Sequence, residues 1–288
     1  MKIDLHIHSI YSDGALSPEE IVDTALDLDL SAISIADHDN ILAYKFAQAH
    51  ARKKSEETGK PILEVIPGIE INTMHGEEEI HVLGYFFNPD NKSLLDMISY
   101  QQHARLEQLS QIVKNLNKIA GIKISMDDIT SLVHEGGSVG RPHMAKAILK
   151  VGGVSSIIEA YRKYINDKSP TYIQRKTIPP HEAVEIIYEA GGIPVVAHPH
   201  SLNNAEELIK ELMNYGLRGV EAYHRRHSPA MIEYFSNIAE NYNLVVTGGS
   251  DCHGSRFGGQ IHLGKTHVPD WVLQELKNEK NRLEIASA

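Results

Sequence analysis

The order of apolar runs along the chain constrains its fold most strongly. Short β-branched runs recur through the 288 residues, and most are followed by a stretch of helical periodicity. The predicted strands lie at about residues 2–8, 31–36, 63–71, 79–87, 193–197, 218–223 and 244–248. Strands that alternate with helices form parallel sheets joined by right-handed crossovers. The sequence therefore predicts an α/β fold, a distorted (β/α)7 barrel.

Local signals set several helix boundaries. Ser17-Pro-Glu-Glu20 is a capping box with proline at the first helical position, and it predicts a helix that continues through Leu30. A second helix is expected to begin near Asn40 and to end at Gly59. The polar stretch Asn278–Ala288 is expected to fray.

Residues 91–179 interrupt the alternation. They carry helical patterns at Lys92–Ala120, Met126–His134 and His143–Lys150, with no strand predicted between them. The barrel is therefore assigned to residues 1–90 and 180–288, and the segment between them to an inserted helical subdomain. Such an insertion either stabilises the barrel or covers the site as a lid. Arg141-Pro-His143 favours the lid, because it places a cation and an imidazole at a helix start, where anions bind well.

Composition limits the possible partners and compartment. No run approaches the ~18 consecutive apolar residues of a membrane span. The N-terminus lacks the layout of a signal peptide, and the single Cys252 excludes an internal disulfide, so a cytoplasmic protein is expected. Cys252 is expected to serve packing rather than nucleophilic attack. The net charge of −10 argues against a long nucleic-acid groove. The sequence leaves the oligomeric state open.

Four polar clusters follow apolar runs. His6 and His8 are two apart on a strand and so project to one face. The other clusters are Ala36-Asp-His38-Asp-Asn, Ala197-His198-Pro-His200 and Gly249-Ser-Asp251-Cys-His253. A lone histidine is more often a core residue than a ligand, but four such clusters rarely coincide by chance. Because the carboxyl ends of barrel strands converge, they predict one shared metal site.

These motifs, in this order, resemble the polymerase and histidinol phosphatase (PHP) family of metal-dependent phosphoesterases. The segments Asp4–Gly14 and Gly68-Ile-Glu70-Ile match as well, and the resemblance runs from Met1 to about Gly264. Gly140-Arg-Pro-His-Met144 is similar to the nucleotide-directed, TrpH-like branch. That branch includes 3′,5′-nucleoside bisphosphate phosphatases and 5′-exonucleases of short oligoribonucleotides. The family fold is the distorted barrel already expected.

The resemblance implies nine ligands for two to three divalent ions, with Glu70 as a bridge. They are His6, His8, Glu70 and Asp251 for one ion; Glu70, His81 and His198 for a second; and Asp13, His38 and His253 for a third. Asp13 stands where many relatives carry histidine. Mixed nitrogen and oxygen ligands suit manganese, iron or zinc alike. Three carboxylate charges would only half neutralise three divalent ions, so the pocket would be cationic although the protein as a whole is acidic.

Closely spaced metals activate water for phosphoester hydrolysis, so no protein nucleophile is required. Asp251 and His143 are the candidate catalytic residues. His143 is a candidate phosphate contact or leaving-group acid, with a purely helix-terminal role as the alternative. Arg141 is the candidate phosphate clamp, with a surface salt bridge as its alternative.

Further substrate contacts are expected from the end of the predicted strand 218–223. At least one of His224, Arg225 and Arg226 should face the pocket, and His224 and Arg225 are taken as candidates. Tyr11 and Phe257 are candidates for stacking on a base, with loop packing as the alternative.

Two classes of function follow. The first is a phosphoesterase that acts on a nucleoside 3′,5′-bisphosphate or on the 5′ end of short oligoribonucleotides, with histidinol phosphate or another small phosphomonoester as the alternative substrate. The second is a non-catalytic, metal-binding regulatory protein. The presence of all nine candidate ligands favours the enzyme.

Overall fold

Seven strands form one nearly closed barrel in a computed structural model that describes residues 2–166, 168–255 and 260–287. The strands follow sequence order around the sheet: β1 (Lys2–Ile7), β2 (Leu30–Ile35), β3 (Glu64–His75), β4 (Glu78–Tyr85), β5 (Ile193–Val196), β6 (Gly219–His224) and β7 (Val245–Gly249). The chain after β7 returns to β1, where the backbone N–H of His8 donates to the carbonyl of Cys252 at 2.8 Å. All seven predicted strands are confirmed.

The direction of β4 departs from the expected parallel sheet. β4 runs antiparallel to both β3 and β5, whereas the pairs β1–β2, β2–β3, β5–β6 and β6–β7 are parallel. Only Gly76 and Glu77 separate β3 from β4, and Gly76 has a φ of 62°. A parallel crossover needs about a dozen residues, so this short link can form only a hairpin.

The helices of the described chain are α1 (Pro18–Asp27), α2 (Leu42–Thr58), α3 (Lys92–Ile119), α4 (Met126–Thr130), α5 (Arg141–Lys150), α6 (Ile157–Ala160), α7 (Pro180–Glu189), α8 (Ala205–Met213), α9 (Pro229–Tyr242) and α10 (Trp271–Ser287). The capping box of Ser17 and Glu20 is present, and Gly59 ends α2 with a φ of 66°. α1 stops at Asp27 rather than Leu30, because Asp29 adopts a φ of 56° and Leu30 opens β2.

The C-terminal stretch does not fray in the described residues. α10 continues to Ser287, and Leu276 and Leu283 are buried in the main apolar cluster of the barrel. The expectation was wrong because Leu283 anchors this stretch on the barrel, although Ile285 is exposed. None of the helices that the structure describes is long and apolar enough to cross a membrane.

The segment between β4 and α7 is helical in its described part, with α3 to α6 and a π-helical turn at Tyr161–Ile165. It has an apolar cluster of its own, formed by residues such as Leu109, Leu116, Met144 and Ile148. α4 ends four residues before His134, and α5 begins at Arg141 rather than His143, because Gly140 is its N-cap. The first turns of α3 pack into the barrel's cluster instead, through Leu94, Met97 and Ile98, so the segment has its own core but is anchored on the barrel.

Candidate metal centre

The nine predicted ligands converge at one end of the barrel. Seven of them line a cavity of about 540 Å³, while His6 and His8 lie buried beneath its floor. Most come from the carboxyl ends of the parallel strands. His81 instead lies in the first half of the antiparallel β4, directly opposite Asn72 of β3. Because β4 runs backwards, its beginning lies at the edge where its neighbours end.

The first donor group joins β1, β3 and the loop after β7. Oε2 of Glu70 lies 3.2 Å from Nε2 of His8 and 3.4 Å from Nε2 of His6. Oδ1 of Asp251 lies 3.3 Å from Nε2 of His8 and 3.9 Å from Nε2 of His6. The structure therefore brings together the four side chains that the resemblance implies for the first ion.

The second donor group uses the other oxygen of Glu70. Oε1 lies 2.8 Å from Nδ1 of His81 and 2.9 Å from Nε2 of His198, and these two ring nitrogens are 3.2 Å apart. Since Oε2 faces the first group, Glu70 contributes one oxygen to each. This geometry is the one that a bridging carboxylate requires.

The third donor group lies on the opposite side of His8. Nε2 of His253 is 3.2 Å from Oδ1 of Asp13, and Nε2 of His38 is 3.9 Å from Oδ2 of the same residue. Nδ1 of His253 donates to the carbonyl of Asp251 at 3.0 Å, so its Nε2 is the free ring nitrogen and points toward Asp13. Asp13 thus lies between the rings of His253 and His38, where the resemblance places a ligand.

The hydrogen bonding and charge of Glu70 fit a metal site. Its Oε2 lies 3.0 Å from Nδ1 of His38, yet neither atom has a hydrogen-bond partner among the described residues. Burial works against the charge of Glu70, but the nearby imidazoles of His38, His81 and His6 hold its pKa well below the ordinary value. Imidazole and carboxylate donors without a thiolate are the set that manganese, iron and zinc accept.

Glu221, which the sequence analysis missed, orients two of these ligands. It is fully buried on β6; its Oε1 accepts from Nδ1 of His6 at 2.9 Å, and its Oε2 accepts the backbone N–H of His198 at 2.8 Å. Burial raises its pKa, but His6 and the neighbouring imidazoles lower it to about 2. A carboxylate behind a ligating histidine fixes the free nitrogen toward the metal. The only sequence signal is a glutamate inside an apolar strand.

The backbone is strained where the site is built. His198 and Asp251 adopt φ values of 26° and 49°, a region that non-glycine residues rarely occupy. Gly249 provides the space that this arrangement needs, since a Cβ there would lie 2.3 Å from the backbone nitrogen of His6. β7 can therefore approach β1 closely only with glycine at this position.

The wall of the cavity opposite the donors comes largely from the helical segment. Arg141 lines it, and its Nη2 donates to Oε2 of Glu79 at 2.6 Å. His143 does not line it: the ring is buried at the start of α5, where Nδ1 accepts the N–H of Gly140 at 3.2 Å. The predicted catalytic role of His143 therefore has no support from its position.

The end of β6 supplies two side chains to the cavity. His224 lines it and lies 3.4 Å from Oδ2 of Asp251. Arg226, rather than the expected Arg225, is the arginine on the cavity wall, because the chain turns immediately after His224. The rings of Tyr11 and Phe46 stack with their centroids 5.5 Å apart, which matches the loop-packing alternative for Tyr11. Phe257 lies outside the described residues.

A buried ion network ties the helical segment to the site, and the sequence analysis missed it as well. Arg105 of α3 donates to Oδ2 of Asp39 at 2.7 Å and to Oδ1 of Asn72 at 2.6 Å. Arg175 lines the cavity and reaches the same carboxylate at 3.4 Å. Burial, and then repulsion by Arg105, lower the pKa of Arg175 to about 10. This places a further cation beside the donor groups.

Comparison with known proteins agrees with this geometry. The family model described as PHP domain matches residues 4–173. A 5′-3′ exoribonuclease of Haemophilus influenzae is 30% identical over 94% of this chain and 98% of its own length. A 3′,5′-nucleoside bisphosphate phosphatase of Chromobacterium violaceum is 29% identical over 90% and 89%. The crystal structure of a Bifidobacterium adolescentis protein, described as a metal-dependent phosphoesterase, superposes with a TM-score of 0.82, 31% identity and coverage of 95% and 94%.

The seven-stranded barrel carries clustered histidine and carboxylate groups at one end, the donors that a metal-dependent phosphoesterase requires. Family, relatives and structural neighbour all place this chain in that class of hydrolase. The chain belongs to the PHP family.

Proposed function

We propose that the protein hydrolyses a phosphate ester of a small nucleotide, either a nucleoside 3′,5′-bisphosphate or the 5′ end of a short oligoribonucleotide. One observation carries the proposal: the three donor groups lie at the floor of a cavity of about 540 Å³ whose walls bear Arg141, Arg175 and Arg226. A cavity of this size matches a nucleotide rather than a polymer. The names of the relatives from Haemophilus and Chromobacterium support the same substrate class.

The nine ligands of the proposal are the three donor groups described above, and they would hold two to three ions of manganese, iron or zinc. Such ions supply a water of lowered pKa and neutralise phosphate oxygens. Glu70 and Asp251 lie against the rings of His6 and His8 in the first donor group, and Glu221 fixes the orientation of the His6 ring. In this proposal water is the attacking group, so none of these side chains has to act as the nucleophile.

The arginines on the cavity wall would favour a substrate that carries two phosphate groups. Arg141 is held above the second donor group through Glu79, whose Oε1 lies 3.5 Å from Nε2 of His81. Arg175 and Arg226 line the same cavity. A guanidinium binds phosphate oxygens in a bidentate manner, so a second phosphate away from the reacting one gains its own partner.

A substrate panel tests the proposal. The metal-loaded protein is assayed for phosphate release from a nucleoside 3′,5′-bisphosphate, the matching 5′-monophosphate, a short oligoribonucleotide and histidinol phosphate. We expect the bisphosphate to be hydrolysed with a higher kcat/KM than the monophosphate. A higher kcat/KM for histidinol phosphate than for any nucleotide would exclude the proposed substrate, and absence of turnover on the whole panel would favour a regulatory metal-binding protein.

The role of Arg141 is tested by Arg141→Ala. Loss of a charged hydrogen-bond partner of the phosphate should lower kcat/KM by about 10- to 100-fold, which corresponds to ~1.5–3 kcal/mol, with metal content unchanged. Arg52→Ala on the exposed face of α2 is the matched control and should leave kcat/KM unaltered. If both variants behave like the wild type, Arg141 serves only its surface pair with Glu79.

A further inference from the structure

A second group of imidazoles lies beside the metal centre, formed by His200, His224 and His227, here called the outer histidine cluster. His200 lies in the turn Pro199–Ser201, His224 ends β6, and His227 lies just before α9. One ring nitrogen of each lies within 4.8 Å of the others. None of the three belongs to the donor groups that the resemblance implies.

Two rings of the outer histidine cluster are held by groups that fix their protonation. Nδ1 of His227 donates to the carbonyl of Ala222 at 2.7 Å, which leaves the lone pair on Nε2. Nε2 of His224 faces the carboxylate of Asp251 at 3.4 Å, which leaves Nδ1 as its metal-binding nitrogen; there an ion would displace the long hydrogen bond that Nδ1 accepts from the N–H of Arg226 at 3.3 Å. A carbonyl or carboxylate behind the imidazole is the usual support of a metal-binding histidine.

The spacing and burial of the rings point the same way. Nδ1 of His200 and Nε2 of His227 are 3.2 Å apart. Tetrahedral ligands at the Zn–N distance of about 2.0–2.1 Å stand roughly 3.3 Å from one another. A hydrogen bond between these two rings would also give this distance. The ring of His224 lies against both of them, with ring centroids 5.5 Å and 5.3 Å away, so a third donor is within reach of the same point. His224 and His227 are only 2% and 8% exposed.

We propose that the outer histidine cluster binds an additional divalent transition ion, such as Zn²⁺, beside the three donor groups. His200 and His224 line the cavity, whereas His227 closes the cluster from behind. Three protein ligands would leave one tetrahedral position open for water or substrate. The ion would be linked to the main centre through the contact between His224 and Asp251.

Metal content of the intact protein tests the proposal and requires no substrate. The purified protein is exposed to excess ZnCl2, desalted and analysed for all bound metals in wild type, His200→Gln, His227→Gln and the control His103→Gln, an exposed side chain on α3. We expect each cluster variant to hold one ion per chain fewer than wild type and the control to hold as many as wild type. Phosphate release is independent of this measurement, so a failed substrate panel leaves the result unchanged.

The metal content of these variants distinguishes a bound ion from a simple hydrogen bond between the rings. Equal metal content in the wild type and both cluster variants would show that the rings only hydrogen-bond to one another, and an equal loss in His103→Gln would also overturn the proposal. Should His227→Gln fail to fold because the ring is buried, His200→Gln still decides, since His200 lies partly exposed in a surface turn. Loss of one ion there supports the site.

Discussion

At the scale of the residue, Glu70 organises the centre. Its two carboxylate oxygens lie within 3.4 Å of ring nitrogens from five histidines: His6, His8, His38, His81 and His198. A buried carboxylate is costly unless positive charge surrounds it. The imidazoles supply part of that charge, and bound cations would supply the rest. Glu70 is therefore the residue whose removal should disturb the most donors.

The bridging position of Glu70 predicts unequal losses of metal. Glu70→Gln removes a donor from both the first and the second group, so we expect it to lose two ions per chain. His253→Ala removes a donor from the third group alone and should lose one ion. Elemental analysis of the purified variants measures both. Equal single-ion losses would contradict the bridge.

Glu221 should tune the centre without binding metal. In Glu221→Gln the charge behind His6 is lost while the shape of the side chain is kept, so the ring nitrogen facing the site becomes a weaker donor. We expect metal affinity to fall by about 10- to 100-fold, the usual effect of an outer partner. Competition with a chelator measures it, with exposed Glu57→Gln as the control. Unchanged affinity would leave Glu221 a purely structural residue.

At the scale of the element, the sequence specified what is periodic or local. The alternation of apolar runs predicted all seven strands, and the spacing of His6 and His8 predicted their shared face. The reversed direction of β4 follows from the short link, because even the seven residues between the predicted strands 63–71 and 79–87 are too few for a parallel crossover. Glu221 and Arg175 were not predictable in the same way, because their roles arise from contacts with residues 215 and 136 positions away. No local pattern marks such contacts.

The junction between α3 and the barrel depends on Asp39. The carboxylate accepts from Arg105 and lies near Arg175, both of them buried, so Asp39→Asn leaves two guanidinium groups without their counterion. Removing one partner of such a network costs ~3–5 kcal/mol. Urea unfolding of Asp39→Asn against surface Asp23→Asn measures the difference. A loss no larger than that of the control would show that the network is not stabilising.

The same carboxylate gives the network a pH dependence. Burial raises the pKa of Asp39, but Arg105 and Arg175 outweigh burial and lower it below the ordinary value. A group with a depressed folded-state pKa contributes its stability above the unfolded pKa of about 3.9 and loses it as pH falls through the folded value. The stability difference between wild type and Asp39→Asn should therefore be constant at neutral pH and shrink in strong acid.

At the scale of the whole molecule, charge separates the site from the surface. The chain carries a net charge of −10, whereas the cavity bears Arg141, Arg175 and Arg226 beside the sites proposed for metal ions. With metal ions bound, the cavity would be cationic and would attract a compact phosphate ester, whereas a long polyanion would also be repelled by the net negative charge of the rest of the protein. We therefore expect the distribution of charge to favour short substrates independently of base contacts.

This separation predicts how RNA length and salt act together. At low ionic strength a short oligoribonucleotide should be degraded with a much higher kcat/KM than a long single-stranded RNA of the same 5′ sequence. Added salt screens repulsion over distances beyond a Debye length of about 10 Å at 0.1 M, so the difference should narrow as salt rises. Phosphate or nucleotide release from the two substrates across a salt series measures it. If long RNA is the better substrate at low salt, or if the ratio does not respond to salt, the acidic exterior does not determine substrate length.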